Sequence, residues 1–476
     1  MKMIIDGQMS GSESGKAFEI VNPATGRVID TVPQATERDI ERAVEAAVRG
    51  QKEWEKVPVW KRGEILYRFL DIVEQNKEEL AQTLCSENGK PIVEARAEIA
   101  NIKISFSAFI EQAKHYYGSI IPAGQEQGQE TNLQLVTREA IGVVACIIPF
   151  NFPCDLFDQK VAPALMMGNA AIVLPSSDNP LTLMKLTEML VRAGVSNGAV
   201  QCLTARGNVK SAAVIDPRVH LGTLTGSTEV GISTAELAAR NLTHTALELG
   251  GNDAFIVLDD GDTDLAVREL VWGRMYNTGQ VCCASKRFLI HNSLKDEFTE
   301  KAVETIRHLK VGMPAEESTQ IGCLISEKAA IKVEKEVEKT VEQGGKIVLG
   351  GKRRGAFYEP TVIADVPKTA DVAKDMEIFG PVVPIIGFDT DEEAVEIANG
   401  SSFGLSSCVF SRDAKRALRV ASRMEAGGAV INGASFFRSF EMPFGGWKHS
   451  GIGTEGVFST FDEMTRSKTI VLKNIL

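Results

Sequence analysis

A chain of 476 residues is longer than one hydrophobic core organises, so two or three domains are expected. With 44% hydrophobic and 24% charged residues it has the balance of a folded globular protein, which excludes a disordered or low-complexity chain. The net charge of -11 comes with Lys and Arg scattered along the sequence, so no basic stripe supports a nucleic-acid partner and the acidity reads as a solvated surface.

The opening Met1 to Gly7 lacks the apolar core and small-residue cleavage site of a secretory signal, so a cytoplasmic location is expected. Thr36 before Glu37-Arg38-Asp39-Ile40, with Val44, Ala47 and Val48 following, predicts a capped amphipathic helix, and helical character continues to about Tyr117. Glu126 to Arg138 is polar with Leu133, Leu135 and Thr137 alternating; it reads as an excursion hairpin with which the tail Lys468-Ile470-Leu472 pairs.

From Ile141 short β-rich runs alternate with helical stretches: Ile141–Ile148, Ala170–Leu174, Val200–Leu203, His220–Leu224 and Ala246–Leu249. That rhythm predicts a doubly wound parallel sheet. The run from Ile141 to Pro149 is too short to span a bilayer, which takes ~18 apolar residues, so no membrane partner is expected. A second alternation, Ala254–Leu258, Phe288–Ile290, Lys346–Leu349, Val382–Phe388 and Cys408–Phe410, predicts a second α/β domain, with a helix over Ser293–Leu309. The eight cysteines are dispersed and lack CxxC or zinc spacing, so reduced thiols and no metal are expected.

Three segments carry candidate chemistry. Cys282, in a loop before the Phe288–Ile290 run, is a candidate nucleophile, although a lone cysteine is also an ordinary packing residue. Glu248 ends a β run just before Gly250-Gly251, where α/β folds place ligand-binding groups; it can act as a general base or be a capping carboxylate. Asn151, in Pro149-Phe150-Asn151-Phe152-Pro153, can donate to an oxyanion or simply form a turn. Thr225-Gly226-Ser227 follows a β run and opens a helix, so its amides can meet a pyrophosphate. Gly451 to Gly456 fits GxGxxG but lacks a preceding strand and a following βαβ unit, and is discounted as a dinucleotide loop.

In order and separation these motifs, with Glu377-Ile378-Phe379-Gly380-Pro381 and Pro443-Phe444-Gly445-Gly446, resemble the aldehyde dehydrogenase superfamily over nearly the whole chain. The resemblance implies an α/β fold with a Rossmann-type NAD(P)-binding domain (1–119 and 141–247), a catalytic domain (248–458) and a small β bridging element (120–140 and 459–476) that makes a homodimer or homotetramer. It implies oxidation of a small aldehyde with NAD or NADP. Cys282 would be the nucleophile, with its neighbour Cys283 the weaker candidate, Asn151 the oxyanion donor and Glu248 the base that hydrolyses the thioester. Cofactor contacts would come from Pro149, Phe150, Leu174, Ser177, Gly207, Thr225, Gly226, Ser227, Leu249, Gly250, Glu377 and Phe379.

The sequence departs from the family pattern at Leu174, where Lys is usual, and at Ser177, where Glu is frequent, which leaves NAD against NADP open. Lys210 is a candidate replacement for that cation; the alternative is an exposed lysine at a helix start. Asp155, Asp158, Gln159 and Arg438 are polar positions among those expected to select substrate, and Arg438 suits an anionic or hydroxylated aldehyde of the lactaldehyde or semialdehyde type. Its alternative partner is Glu441 or a neighbouring subunit. Two other functions stay open: a CoA-acylating relative, against which Glu248 argues, and a catalytically silent homologue.

Overall fold

The computed structural model describes residues 1–475. Leu476, the end of the expected bridging segment 459–476, lies outside them. The first helix, α1 (Glu37–Trp54), begins as its sequence predicts: the Thr36 hydroxyl accepts from the Asp39 amide and the Asp39 carboxylate accepts from the Thr36 amide. Its Ile40, Ala43, Val44 and Ala47 form the buried stripe. Helices α2 (Val59–Gln75), α3 (Lys77–Asn88) and α4 (Ile92–Ala113) complete the helical stretch.

An eight-stranded sheet follows the order Gln8–Ser10, Met3–Ile5, Val200–Cys202, Ala170–Leu174, Val143–Ile147, Leu221–Thr225, His244–Glu248, Gly451–Ile452. Its five inner strands are parallel and the outer ones pair antiparallel. Successive strands run outward one way from Val143–Ile147 and then the other way from Leu221–Thr225. Between these two neighbours lies a topological switch point, where open α/β sheets form a ligand crevice at the carboxyl ends. Four helices frame it: α5 (Pro153–Met166), α6 (Leu181–Ala193), α7 (Ser211–Ile215) and α8 (Thr228–Ala239).

The five predicted β runs all become strands, within a residue or two at their ends. The amino-terminal Met3–Ile5 strand was not foreseen. Three residues give too little alternation to read, and only pairing with Val200–Cys202 defines it.

A second sheet of seven strands has the order Lys346–Leu349, Thr361–Ala364, Val382–Phe388, Ser285–His291, Asp253–Val257, Ser407–Phe410, Val430–Ile431. Phe255 packs on Phe288 and Phe410, ring centroids 4.9 and 4.6 Å apart, on one side of this sheet. Each such ring, fully buried, contributes about 1.5–3 kcal/mol of transfer free energy. Between the first sheet and α4, Phe106 meets Phe69 at 4.9 Å and Phe157 of α5 at 6.4 Å, which fixes the depth of α5 and hence of its polar side chains.

The expected hairpin and tail form a separate antiparallel sheet, Thr465–Leu472 with Leu133–Ala140 and Ser119–Ile121. Lys468, Ile470 and Leu472 stand opposite Thr137, Leu135 and Leu133. No helix among the described residues is long and apolar enough to cross a membrane.

Candidate active site

Three chain segments converge at the carboxyl edge of the first sheet. The Asn151 turn is gripped by its carbonyl oxygens: Asn88 and Asn179 donate to the Phe150 carbonyl at 2.6 and 2.8 Å, and Lys90 and Asn277 to that of Asn151, both at 2.9 Å. Lys90 is fully buried, ion-paired with Glu98 and 4.0 Å from the Phe152 ring centroid, so its charge is compensated where it sits. Nothing among the described residues hydrogen-bonds the Asn151 carboxamide. Its main chain is fixed and its side-chain donor is uncommitted.

The Cys282 loop is strained. Asn277 and Thr278 have φ of 49° and 55°, values that cost a non-glycine residue energy and persist only where surroundings over-determine them. Gly279, at φ 77°, follows; a Cβ there would meet the Gly380 carbonyl oxygen at 2.3 Å. The Asn277 carboxamide bridges the Asn151 and Gln280 carbonyls, tying nucleophile loop to oxyanion turn. Cys282 is partly exposed and Cys283 buried, so the two neighbouring thiols differ in access. A hydrogen bond with Cys283, burial and the negative charge of Glu248 together hold the Cys282 thiol well above its ordinary range, while Lys286 acts in the opposite direction. These surroundings favour the protonated thiol.

Glu248 ends its strand directly opposite Thr225. One carboxylate oxygen accepts from the Thr225 hydroxyl at 3.1 Å; the other is buried with no hydrogen-bond partner, although the Arg438 guanidinium stands 3.7 Å away. Burial first, and then repulsion from Glu455, raises its carboxyl to about 7, with Arg438 and Lys160 pulling the other way. That value suits a base working near neutrality. Lys160 donates to Thr225 at 2.8 Å and to Glu455 at 2.6 Å, and Arg438 donates to Glu455 at 2.9 Å. Burial works against the charge of Glu455, yet Lys160 and Arg438 hold its carboxyl at about 2.

Sequence reasoning missed Lys160, Glu455 and Lys286. Lys160 was legible as a lone cation in the apolar stretch of α5, and Lys286-Arg287 as two cations inside a β run. Glu455 lies in the Gly451 to Gly456 segment discounted as a dinucleotide loop. Gly451 and Ile452 are a strand on the sheet edge, and the segment's chemistry is its carboxylate.

At the switch point, Gly226 and Ser227 precede α8, whose Ser227 hydroxyl caps the Val230 amide. Glu377 lies across the crevice: a Cβ on Gly250 would meet its carboxylate at 2.5 Å and displace it from this position. Phe379 and Phe150 are edge to face at 6.1 Å. Pro149, Phe150, Glu377 and Phe379 are all half-buried, and a cavity of ≈ 600 Å³ opens between α1, α7 and α8, lined by Asn208, Ser211, Ile215 and Leu237. A helix N-terminus at the switch point, a carboxylate beyond it and a side cavity match what a dinucleotide needs.

Two residues expected at the cofactor have buried side chains. Leu174 is fully buried, in one core cluster with Ile40, Val44 and Leu203. Leu249 has its side chain in a small cluster with Leu224 and Leu247, and its amide donates to the Ser450 carbonyl at 2.9 Å. Ser177 is half-buried, and Gly207, at φ 61°, starts the turn leading to Lys210. Lys210 is not the exposed lysine of its alternative reading. Its ammonium donates to the Pro175 carbonyl at 2.5 Å, one residue beyond Leu174.

Among the expected substrate residues, Asp155 is half-buried, 3.5 Å from the Asn101 carboxamide of α4, and its other oxygen has no partner. Gln159 is enclosed, donating to Ser105 in the α4–α5 seam, and Asp158 is fully buried beside it. Arg438 does not pair with Glu441, which accepts from Gln112; it turns inward to Glu455 and Glu248 because their combined charge outweighs one exposed carboxylate. Phe152, Tyr276, Phe436 and Trp272 form an aromatic wall, with Tyr276–Phe436 at 5.3 Å and Trp272–Phe436 at 4.9 Å.

A thiol, a buried carboxylate and an uncommitted carboxamide beside a dinucleotide-type crevice fit the class of NAD(P)-dependent oxidoreductases. The aldehyde dehydrogenase family model matches residues 10–470, and the chain belongs to that family. It is 37% identical to a glutarate-semialdehyde dehydrogenase of Pseudomonas putida, over 95% of this chain and 93% of the relative. It is 36% identical to a lactaldehyde dehydrogenase of Methanocaldococcus jannaschii, over 99% of this chain and 100% of the relative. A crystal structure of an E. coli NADP-dependent enzyme superposes with a TM-score of 0.96 at 32% identity, covering 99% of this chain and 98% of the other.

Proposed function

We propose that the chain oxidises a small polar or anionic aldehyde, of the lactaldehyde or semialdehyde type, to its carboxylic acid by way of a thioester on Cys282. The observation that carries this is the convergence of Cys282, the unpartnered oxygen of Glu248 and the uncommitted carboxamide of Asn151. Glu248 takes the thiol proton, directly or through water, and the thiolate adds to the carbonyl carbon. The new alkoxide is met by the Asn151 amide and the Cys282 backbone N–H. When bound, NAD or NADP supplies the hydride acceptor. Glu248 then deprotonates a water that attacks the thioester, so that the acid leaves and the Cys282 thiol is restored. Before that second step Glu248 releases the thiol proton to water, while Thr225, itself tied to Lys160 and through it to Glu455, holds the other carboxylate oxygen in place.

In this reading the first sheet, with 1–119 and 141–247, holds the dinucleotide along Gly226, Ser227 and the start of α8, and Glu377 and Phe379 reach it from the catalytic unit 248–458. Arg438 and Asp155 are the polar side chains that would meet the substrate's far end, Arg438 from its place beside Glu455 and Glu248. The three-stranded sheet leaves Thr465–Leu472 as an edge with Ile470 and Val471 exposed, which supports a homodimer or homotetramer built by extending sheets.

The test is kcat/KM for succinic semialdehyde, lactaldehyde and hexanal with each cofactor, and with CoA added. Turnover of the polar aldehydes to free acid, lost in Cys282→Ala, is expected. Acyl-CoA formation, or a preference for hexanal, overturns the reading.

A further inference from the structure

Lys286 is 1% exposed, in the strand Ser285–His291, and its ammonium has three acceptors from three separate segments. It donates to the Gly251 carbonyl at 2.7 Å and to the Cys282 carbonyl, and pairs with Glu377 at 2.9 Å. Three acceptors use all three of its N–H groups. The ring of Phe379 lies 5.8 Å away. Gly251 permits the approach, since a Cβ there would meet Leu405 Cβ at 2.8 Å and the Cys282 oxygen at 3.1 Å. The neighbouring Arg287 differs: it reaches only carbonyls, of Asn252, Ala373, Ile397 and Ala398, and touches no candidate site residue.

We propose that Lys286 is a positioning residue that clamps the Cys282 loop to the segment after Glu248 and to Glu377, and that its charge favours the Cys282 thiolate. Hydrogen bonds to two carbonyls alone require no cation. Glu248, Cys283, Glu377 and Asp253 bring neutral or negative groups to Cys282 and Lys286, and the other cation close by, Arg438, is committed to Glu455. An ammonium linked to the Cys282 main chain offsets them at the reacting residue. It also ties the carboxylate of Glu377 to the nucleophile, so that cofactor side and thiol side keep one geometry.

The inference rests on Cys282 being the nucleophile, and its test reads that thiol without turnover. Iodoacetamide labelling of Cys282 in the full chain, without cofactor, is followed by mass spectrometry across pH for wild type, Lys286→Met, Lys286→Gln and Lys286→Arg. The glutamine keeps donors for the carbonyls but no charge, and serves if the methionine does not fold. The neutral variants are expected to raise the labelling midpoint by about one pH unit or more, and arginine to keep it near wild type. A folded neutral variant with the wild-type midpoint, or arginine shifting as far as the neutral ones, overturns the proposal and leaves the nucleophile reading standing. A wild-type Cys282 that resists labelling throughout overturns both.

Discussion

The guanidinium of Arg438 lies 3.7 Å from the carboxylate of Glu248, whose nearer oxygen makes no hydrogen bond. The candidate base is thus held beside a cation that is itself committed to Glu455 at 2.9 Å. Charge balance around one carboxylate links Arg438, Glu248 and Glu455.

Activity is expected to rise with pH through about 7, as burial and Glu455 place the Glu248 carboxyl there. The base form exists only above that midpoint, so acid removes activity. Glu455→Gln removes a negative neighbour and moves the midpoint down; Arg438→Met removes a positive one and moves it up, each by about one unit. Profiles of kcat/KM for the three proteins check both signs. Midpoints that do not separate would show that Glu248 does not set the profile.

Arg438 also bears on substrate choice. Arg438→Ala is expected to lower kcat/KM for succinic semialdehyde about tenfold more than for hexanal, the size of one charge-assisted contact. Equal losses for both substrates would confine Arg438 to serving Glu248 and Glu455.

Lys210 is expected to favour NADP. Its ammonium sits on the Pro175 carbonyl where Leu174 has left the strand end without a cation, and burial, only partly offset by Asp178, lowers it to about 8. It is charged below that pH and neutral above, so any advantage for a 2′-phosphate fades as pH rises. Fluorescence titration with NADPH and NADH is expected to show Lys210→Ala losing about tenfold in NADPH affinity with NADH little changed. Parallel losses would assign Lys210 to the loop alone.

Much of this was legible in order and pattern. The capping box at Thr36 and the alternation from Ile141 onward depend on near neighbours, so sequence carries them. The pairing of Thr465–Leu472 with Leu133–Ala140 was readable because both strands alternate, even though some 330 residues separate them. Cys282, Glu248 and Asn151 were identifiable by resemblance, since their motifs are local. The burial of the Leu174 side chain was not legible, because a strand-end side chain has two directions and only the packing around it chooses one.

The amino-acid order by itself determined most of the helices and strands and the family, and pointed to Cys282, Glu248 and Asn151 as the candidate residues, because each depends on residues close in the chain. Only the tertiary structure decided which charges surround them. Lys160, Lys286, Arg438 and Glu455 come from four segments, and ion pairing falls off so steeply with separation and solvent that nothing short of burial in one place gives Glu248 its carboxyl near 7 or sets a cation beside Cys282.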